Sequence, residues 1–134
     1  MKQVTAMFLR NSKDEYLVTR RASSESMAGW WEFPGGKLEA GESASQCLTR
    51  EIKEELNLEI NVGREMARSF YTYEHGAFEI IGLLATDTEA QEITLTVHDK
   101  ARWIKLEDLA QIKLLPADVL LVDQILNSKG FCDV

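Results

Sequence analysis

Gly36-Lys-Leu-Glu-Ala-Gly-Glu42, then seven residues, then Arg50-Glu51-Ile52-Lys53-Glu54-Glu55-Leu56-Asn57-Leu58 is the stretch that decides how this chain folds. Residues 42–57 hold neither Gly nor Pro, so the spacing predicts one helix of about four turns. Glu42-Ser43 can cap and charge its start, and Asn57, which tolerates left-handed backbone, can stop it. On a wheel of about 100° per residue, Ala44, Cys47, Leu48, Ile52 and Leu56 gather into one apolar arc that should be buried. Glu51 and Glu55 project into the middle of that arc, within about 40° of one another, and Glu54 lies at its edge beside Arg50.

Buried carboxylates left unpaired are costly or take up protons, so acids in this position call for metal, arginine or a water-filled cleft. Surface pairing accounts for part of the pattern, since Arg50 and Glu54 stand four residues apart. It does not account for acids that interrupt an apolar face instead of extending a polar one. Oxygen-only donors suit Mg²⁺ or Mn²⁺ better than zinc, which would want His or Cys that this segment lacks. His75 and His98, each isolated in the sequence, read as surface or turn histidines.

Outward from the helix, Val4-Thr-Ala-Met-Phe-Leu9 and Tyr16-Leu-Val-Thr19 read as strands joined in a hairpin by the polar turn at residues 11–15. A Ser- and Gly-containing loop at 22–29, the cluster Trp30-Trp31-Glu32-Phe33 and the turn Pro34-Gly35-Gly36 look like the floor of a pocket. Residues 59–73 and 77–87 alternate as two long strands linked at Glu74-His75-Gly76. A short strand follows at 101–104, one helical turn at 106–110, and a last helix at 117–127 with Pro116 at its first position. Mixed strands and helices without internal repeats mean one α/β or α+β layered domain over residues 1–134.

Composition narrows the function. The 45% hydrophobic and 28% charged residues are those of a globular protein, and no apolar run approaches the roughly 20 residues needed to span a bilayer. With no secretory signal pattern, a cytoplasmic location is expected. Cys47 and Cys132 are too few and too far apart for a disulfide framework or a zinc site, and are expected as reduced thiols. A net charge of -7 disfavours nucleic acid, whose binding draws on Lys and Arg. An acidic protein with a phosphate-ester ligand needs cations between carboxylate and phosphate, which again points to a divalent metal.

At these residues the chain resembles the Nudix hydrolases, whose box runs Gly, five residues, Glu, seven residues, Arg-Glu, an aliphatic, any residue, Glu-Glu, any residue, Gly, an aliphatic. Gly36, Glu42, Arg50, Glu51, Ile52, Glu54, Glu55 and Leu58 match it. Six fixed polar matches in register have a chance probability on the order of 10⁻⁷ per starting point. Outside the box, Thr19-Arg-Arg-Ala22, Trp31-Glu-Phe-Pro-Gly-Gly-Lys37 and Leu115-Pro-Ala-Asp118 are similar to the MutT-type branch and its relatives that hydrolyse cytidine triphosphates.

The resemblance implies an α/β/α sandwich around a mixed sheet and hydrolysis of a nucleoside triphosphate to monophosphate and pyrophosphate. It implies Mg²⁺ held by Glu51, Glu54, Glu55 and the Gly35 carbonyl, with Arg50 aiming a carboxylate and one glutamate, Glu51 as the candidate, assisting deprotonation of water. It places Arg21 at a phosphate and Ser26, Glu32, Phe33 and Gly35 near the nucleotide. Asp118 falls where MutT-type enzymes present an amide or carboxyl to the base. Other readings are a nucleotide sugar or dinucleotide as substrate, or a catalytically silent nucleotide sensor. The expected partner is a small nucleotide, without nucleic acid or membrane, the protein acting as a monomer or homodimer. Two departures stand out: Asn57 replaces the box glycine, and Val97, next to His98, occupies the register that in some MutT-type enzymes holds a further metal-ligating acid, so that either another group such as Asp99 or Glu92 compensates or fewer metals bind.

Overall fold

The computed structural model describes residues 1–87 and 92–132, with side chains through residue 128. Among these residues the elements follow in the order β1 (Lys2–Leu9), β2 (Tyr16–Arg21), β3 (Trp31–Glu32), α1 (Ala44–Leu56), β4 (Ile60–Tyr73), β5 (Gly76–Asp87), β6 (His98–Ile104), a short 3₁₀ helix (Leu106–Gln111) and α2 (Pro116–Cys132).

β1 decides the layering. Its last five residues are all buried, because the strand is covered on both faces. Ala6 and Phe8 join one apolar cluster with Leu121, Val122 and Ile125 of α2. Met7 and Leu9 join the other with Leu48, Ile52 and Leu56 of α1. Alternation along one strand thus builds two cores, one per helix, which is the expected α/β/α sandwich. The sheet β1-β5-β4 is mixed: β1 runs parallel to β5, and β4 antiparallel to it. β3-β2-β6 forms a second, antiparallel sheet.

The expected hairpin between the first two strands is not a ladder. β1 and β2 belong to different sheets; the bridge Arg10–Tyr16 closes the turn between them, and the rings of Phe8 and Tyr16 meet edge-to-face. The turn does form, with the Asn11 side chain accepting from the Lys13 and Glu15 backbone N–H groups. Beyond it the strands separate, because β1 is covered on both faces and takes β5 as its neighbour. The 59–87 hairpin forms as expected, with Tyr73 opposite Gly76 at its tip.

Helix α1 starts two residues later than the sequence suggests. Ser43 is its N-cap, in a reciprocal capping box with Gln46, and Glu42 stands outside the helix. Asn57 ends it at φ 55°, in the left-handed backbone that Asn tolerates. β6 begins three residues before the expected 101 and α2 runs past the expected 127. Cys47 is a buried free thiol, while the Cys132 side chain lies outside the described residues. Among the described residues no helix is long and apolar enough to cross a membrane.

Candidate active site

The turn at Pro34-Gly35-Gly36 lies along the free edge of β1. Thr5 N–H donates to the Gly36 carbonyl and Met7 N–H to the Pro34 carbonyl, both at 2.8 Å. A Cβ on Gly35 would overlap the Thr5 carbonyl, and one on Gly36 would overlap the Glu51 carboxyl. Both glycines therefore serve close approach: the first seats the turn on the strand, the second lets α1 bring Glu51 against it.

Arg50 organises the acids on this side. Its Nε donates to Glu42 at 2.8 Å, its Nη1 to Glu51 at 2.9 Å and to Glu54 at 3.4 Å, and its Nη2 to the Lys37 carbonyl. Arg50 pulls Glu42 down to about 2, helped by the Glu39 N–H that Glu42 also accepts. The surface pairing of Arg50 with Glu54 is thus real, and Glu54 remains 59% exposed, whereas Glu51 keeps only 17%.

Glu55 is the outlier. Burial pushes its carboxyl up to about 8, reinforced by the charges of Glu32 and Glu51. Its Oε2 is buried without a hydrogen-bond partner among the described residues. An orphaned buried carboxylate oxygen beside further carboxylates fits a hard divalent cation, the donor chemistry expected for Mg²⁺. Among the described residues no three acidic, His or Cys side chains already converge as a ligand cluster. Arg50 occupies Glu51 and Glu54 instead.

Glu55 opens into a cleft of about 290 Å³ that also takes in Arg21, Ser26, Glu32, Gly35 and Asp118. Phe33 lines it too, its ring stacked on Phe8 at 4.1 Å, so it serves core and cleft together. Helix α2 delivers Asp118 through four anchors. Ala117 N–H donates to the Tyr73 hydroxyl and the Ser69 hydroxyl to the Ala117 carbonyl, each at 3.0 Å. Trp31 N–H donates to the Lys113 carbonyl and Leu115 N–H to the Trp31 carbonyl. Asp118 is 5% exposed and accepts from the Phe33 N–H at 3.0 Å. Burial, with the Glu32 charge adding to it, pushes its carboxyl up to about 8. It is a first-turn acid, as its place in the sequence suggests, but a buried one.

Arg21 extends across the cleft floor, donating from Nη1 to both Glu32 oxygens at 3.1 Å and from Nε to the Ser26 carbonyl. Sequence reasoning missed the third member of this group. His98 is no surface histidine: its side chain is 0% exposed and its Nε2 lies 2.7 Å from Glu32 Oε2. Asp99, a candidate replacement for the acid missing at Val97, pairs with Arg20 at 2.8 Å, and Glu92 is exposed. Neither lines the cleft.

A mixed-sheet sandwich with an arginine-held glutamate helix beside a cleft defines the class, and the NUDIX domain model matches residues 1–124, so the chain belongs to the Nudix family. It is 35% identical over 122 residues to the CTP pyrophosphohydrolase of Escherichia coli K12, covering 90% of this chain and 87% of that one. To the 8-oxo-dGTP diphosphatase of the same organism it is 43% identical over 56 residues, 42% of this chain and 43% of the other. The solution structure of the E. coli ORF135 protein superposes with a TM-score of 0.82 at 28% identity, covering 96% of this chain and 91% of that one. The protein is a MutT-type Nudix hydrolase acting on phosphoric anhydrides.

Proposed function

We propose that the protein is a Mg²⁺-dependent nucleoside triphosphate pyrophosphohydrolase, converting a (d)NTP such as 8-oxo-dGTP or a cytidine or 5-methylcytidine triphosphate to the monophosphate and pyrophosphate. The observation that carries this reading is the cleft that brings Glu55, from the acidic helix, together with Asp118, a buried group able to read a base. The names of the E. coli relatives support the same substrate class.

Glu51, Glu54, Glu55 and the Gly35 carbonyl would hold Mg²⁺, with Mn²⁺ as a substitute of similar chemistry. The bound cation supplies charge neutralisation at phosphate oxygens and a lowered pKa for water. Arg50 aims Glu51 and Glu54, and Glu51 takes a proton from water as its oxygen bonds to one phosphorus of the α–β anhydride and the bridging P–O bond breaks, giving the monophosphate and pyrophosphate. Arg21, next to Ser26, meets phosphate. Asp118 accepts from an exocyclic amine when ionised and can donate to a carbonyl when protonated.

Purified protein with Mg²⁺ is assayed for pyrophosphate release from 8-oxo-dGTP, dCTP, 5-methyl-dCTP and CTP. At least one should be cleaved, and Glu55→Gln should lower its turnover at least about tenfold while the fold is kept. Folded protein that releases pyrophosphate from no (d)NTP sinks the reading.

A further inference from the structure

Buried behind the cleft, His98 reaches its position through an irregularity in the sheet. β2 and β6 pair regularly as far as Arg20 opposite Lys100, then slip, so that Arg21 faces His98 and Asp99 is the extra residue. Without the slip Asp99 would oppose Arg21. With it, Asp99 turns to Arg20 and the imidazole comes to Glu32, which β3 presents from the other edge of β2.

Glu32 is thereby nearly saturated. A carboxylate has about four acceptor positions. Arg21 Nη1 approaches both oxygens at 3.1 Å, and His98 Nε2 approaches Oε2 at 2.7 Å. By that count one acceptor position is left, on Oε1, in a residue that lines the cleft. His98 can hold it there only as a donor from Nε2, since an ionised carboxylate has no proton to give. Among the described residues its buried Nδ1 has no hydrogen-bond partner, so none of them competes from the far side of the ring for that orientation.

We propose that His98 is a positioning residue for nucleotide selection: with Arg21 it fixes Glu32 so that one remaining lone pair accepts a single N–H or O–H donor of the nucleoside. This rests on the preceding assignment of Glu32 to the nucleotide and adds the group behind it. The donor is an exocyclic amine of the base or a hydroxyl of the sugar, and paired substrates separate the two.

The test compares wild type with His98→Leu, His98→Asn and His98→Gln, each checked for cooperative melting. The glutamine amide reaches the place of Nε2, whereas the asparagine amide stops near that of Nδ1. Rates with Mg²⁺ are measured on CTP against UTP and dGTP against dITP, which read the amine, and on CTP against dCTP, which reads the 2′-hydroxyl. Wild type should prefer the donor-bearing member of at least one pair. That preference should fall about tenfold in the leucine and asparagine variants, mainly through KM, and stay within about threefold in the glutamine variant. Should the leucine variant fail to fold, the asparagine–glutamine contrast carries the test.

Wild type indifferent to all three pairs overturns the proposal, as does equal loss on both members of each pair or a glutamine variant as impaired as the asparagine one. Calorimetric binding of CMP against UMP gives the arm free of turnover. Loss of CMP preference in His98→Asn, kept in His98→Gln, in a protein that cleaves no triphosphate would remove the pyrophosphohydrolase reading and leave this one standing. A protein that neither binds nor cleaves nucleotides overturns both.

Discussion

Three carboxyl groups set the electrostatics of the cleft, and they are not equivalent. Glu32 is anchored by Arg21 and His98, while Glu55 and Asp118 are both held above the ordinary range by burial and then by the charge of Glu32. For Asp118 this has a consequence for stability. Its folded value, about 8, is raised above the roughly 3.9 of an unfolded aspartate, so the folded state binds the proton more tightly. That contribution is fully present below about pH 4 and is lost as pH rises through about 8. Asp118→Asn keeps the volume and the acceptor for the Phe33 N–H but removes the titration. Urea unfolding at pH 5 and pH 8 should show wild type losing at least about 2 kcal/mol more than the variant over that interval. Parallel losses would show that Asp118 is not protonated in the fold. Pro116 marks Asp118 as a helix-start acid in the sequence, but its burial is not legible there, because it depends on anchors from Ser69, Tyr73 and Trp31, distant in the chain.

Elements whose signals are local could be read from the sequence, and those fixed by partners could not. Helix α1 announces itself through Ser43, the apolar arc and Asn57, and its end falls where expected because left-handed backbone suits Asn. Its start was misplaced by two residues because Glu42 looks like a first-turn acid, while its carboxylate in fact belongs to Arg50 and the Glu39 N–H. The β1–β2 hairpin failed for a different reason: turn chemistry at Asn11 was correct, but strand pairing is settled by β5. The slip that selects His98 over Asp99 is likewise invisible before β2 and β6 are aligned. The capping box is a local device and should behave as one. Ser43→Ala removes the acceptor for the Gln46 N–H and should cost about 1 kcal/mol in chemical unfolding. The acids lie beyond the first turn, so KM should stay within about twofold. A larger kinetic loss would mean that the cap also aims Arg50.

Across the whole molecule the sheet separates two helices with different duties. α1 supplies the acids proposed to cut phosphate and packs on one core, and α2 supplies Asp118 and packs on the other. Ile52 and Leu121 are both fully buried, each on the same helix as the acid three residues away, Glu55 and Asp118. Truncating either to Ala should cost about 2–5 kcal/mol, by lost apolar burial and a residual cavity. The kinetic effects should differ even so. Under the proposed roles, loosening α1 disturbs the groups assigned to the step in which the anhydride breaks, whereas loosening α2 disturbs the group assigned to hold the nucleotide before and during that step. Ile52→Ala should therefore lower kcat at least about tenfold with KM within about threefold, and Leu121→Ala should raise KM at least about fivefold with a smaller change in kcat. Steady-state kinetics on the preferred triphosphate, at a temperature where both variants are folded, decides it. The same change in kcat and KM for both would show that the two cores move as one body and that cutting and recognition are not divided between the layers.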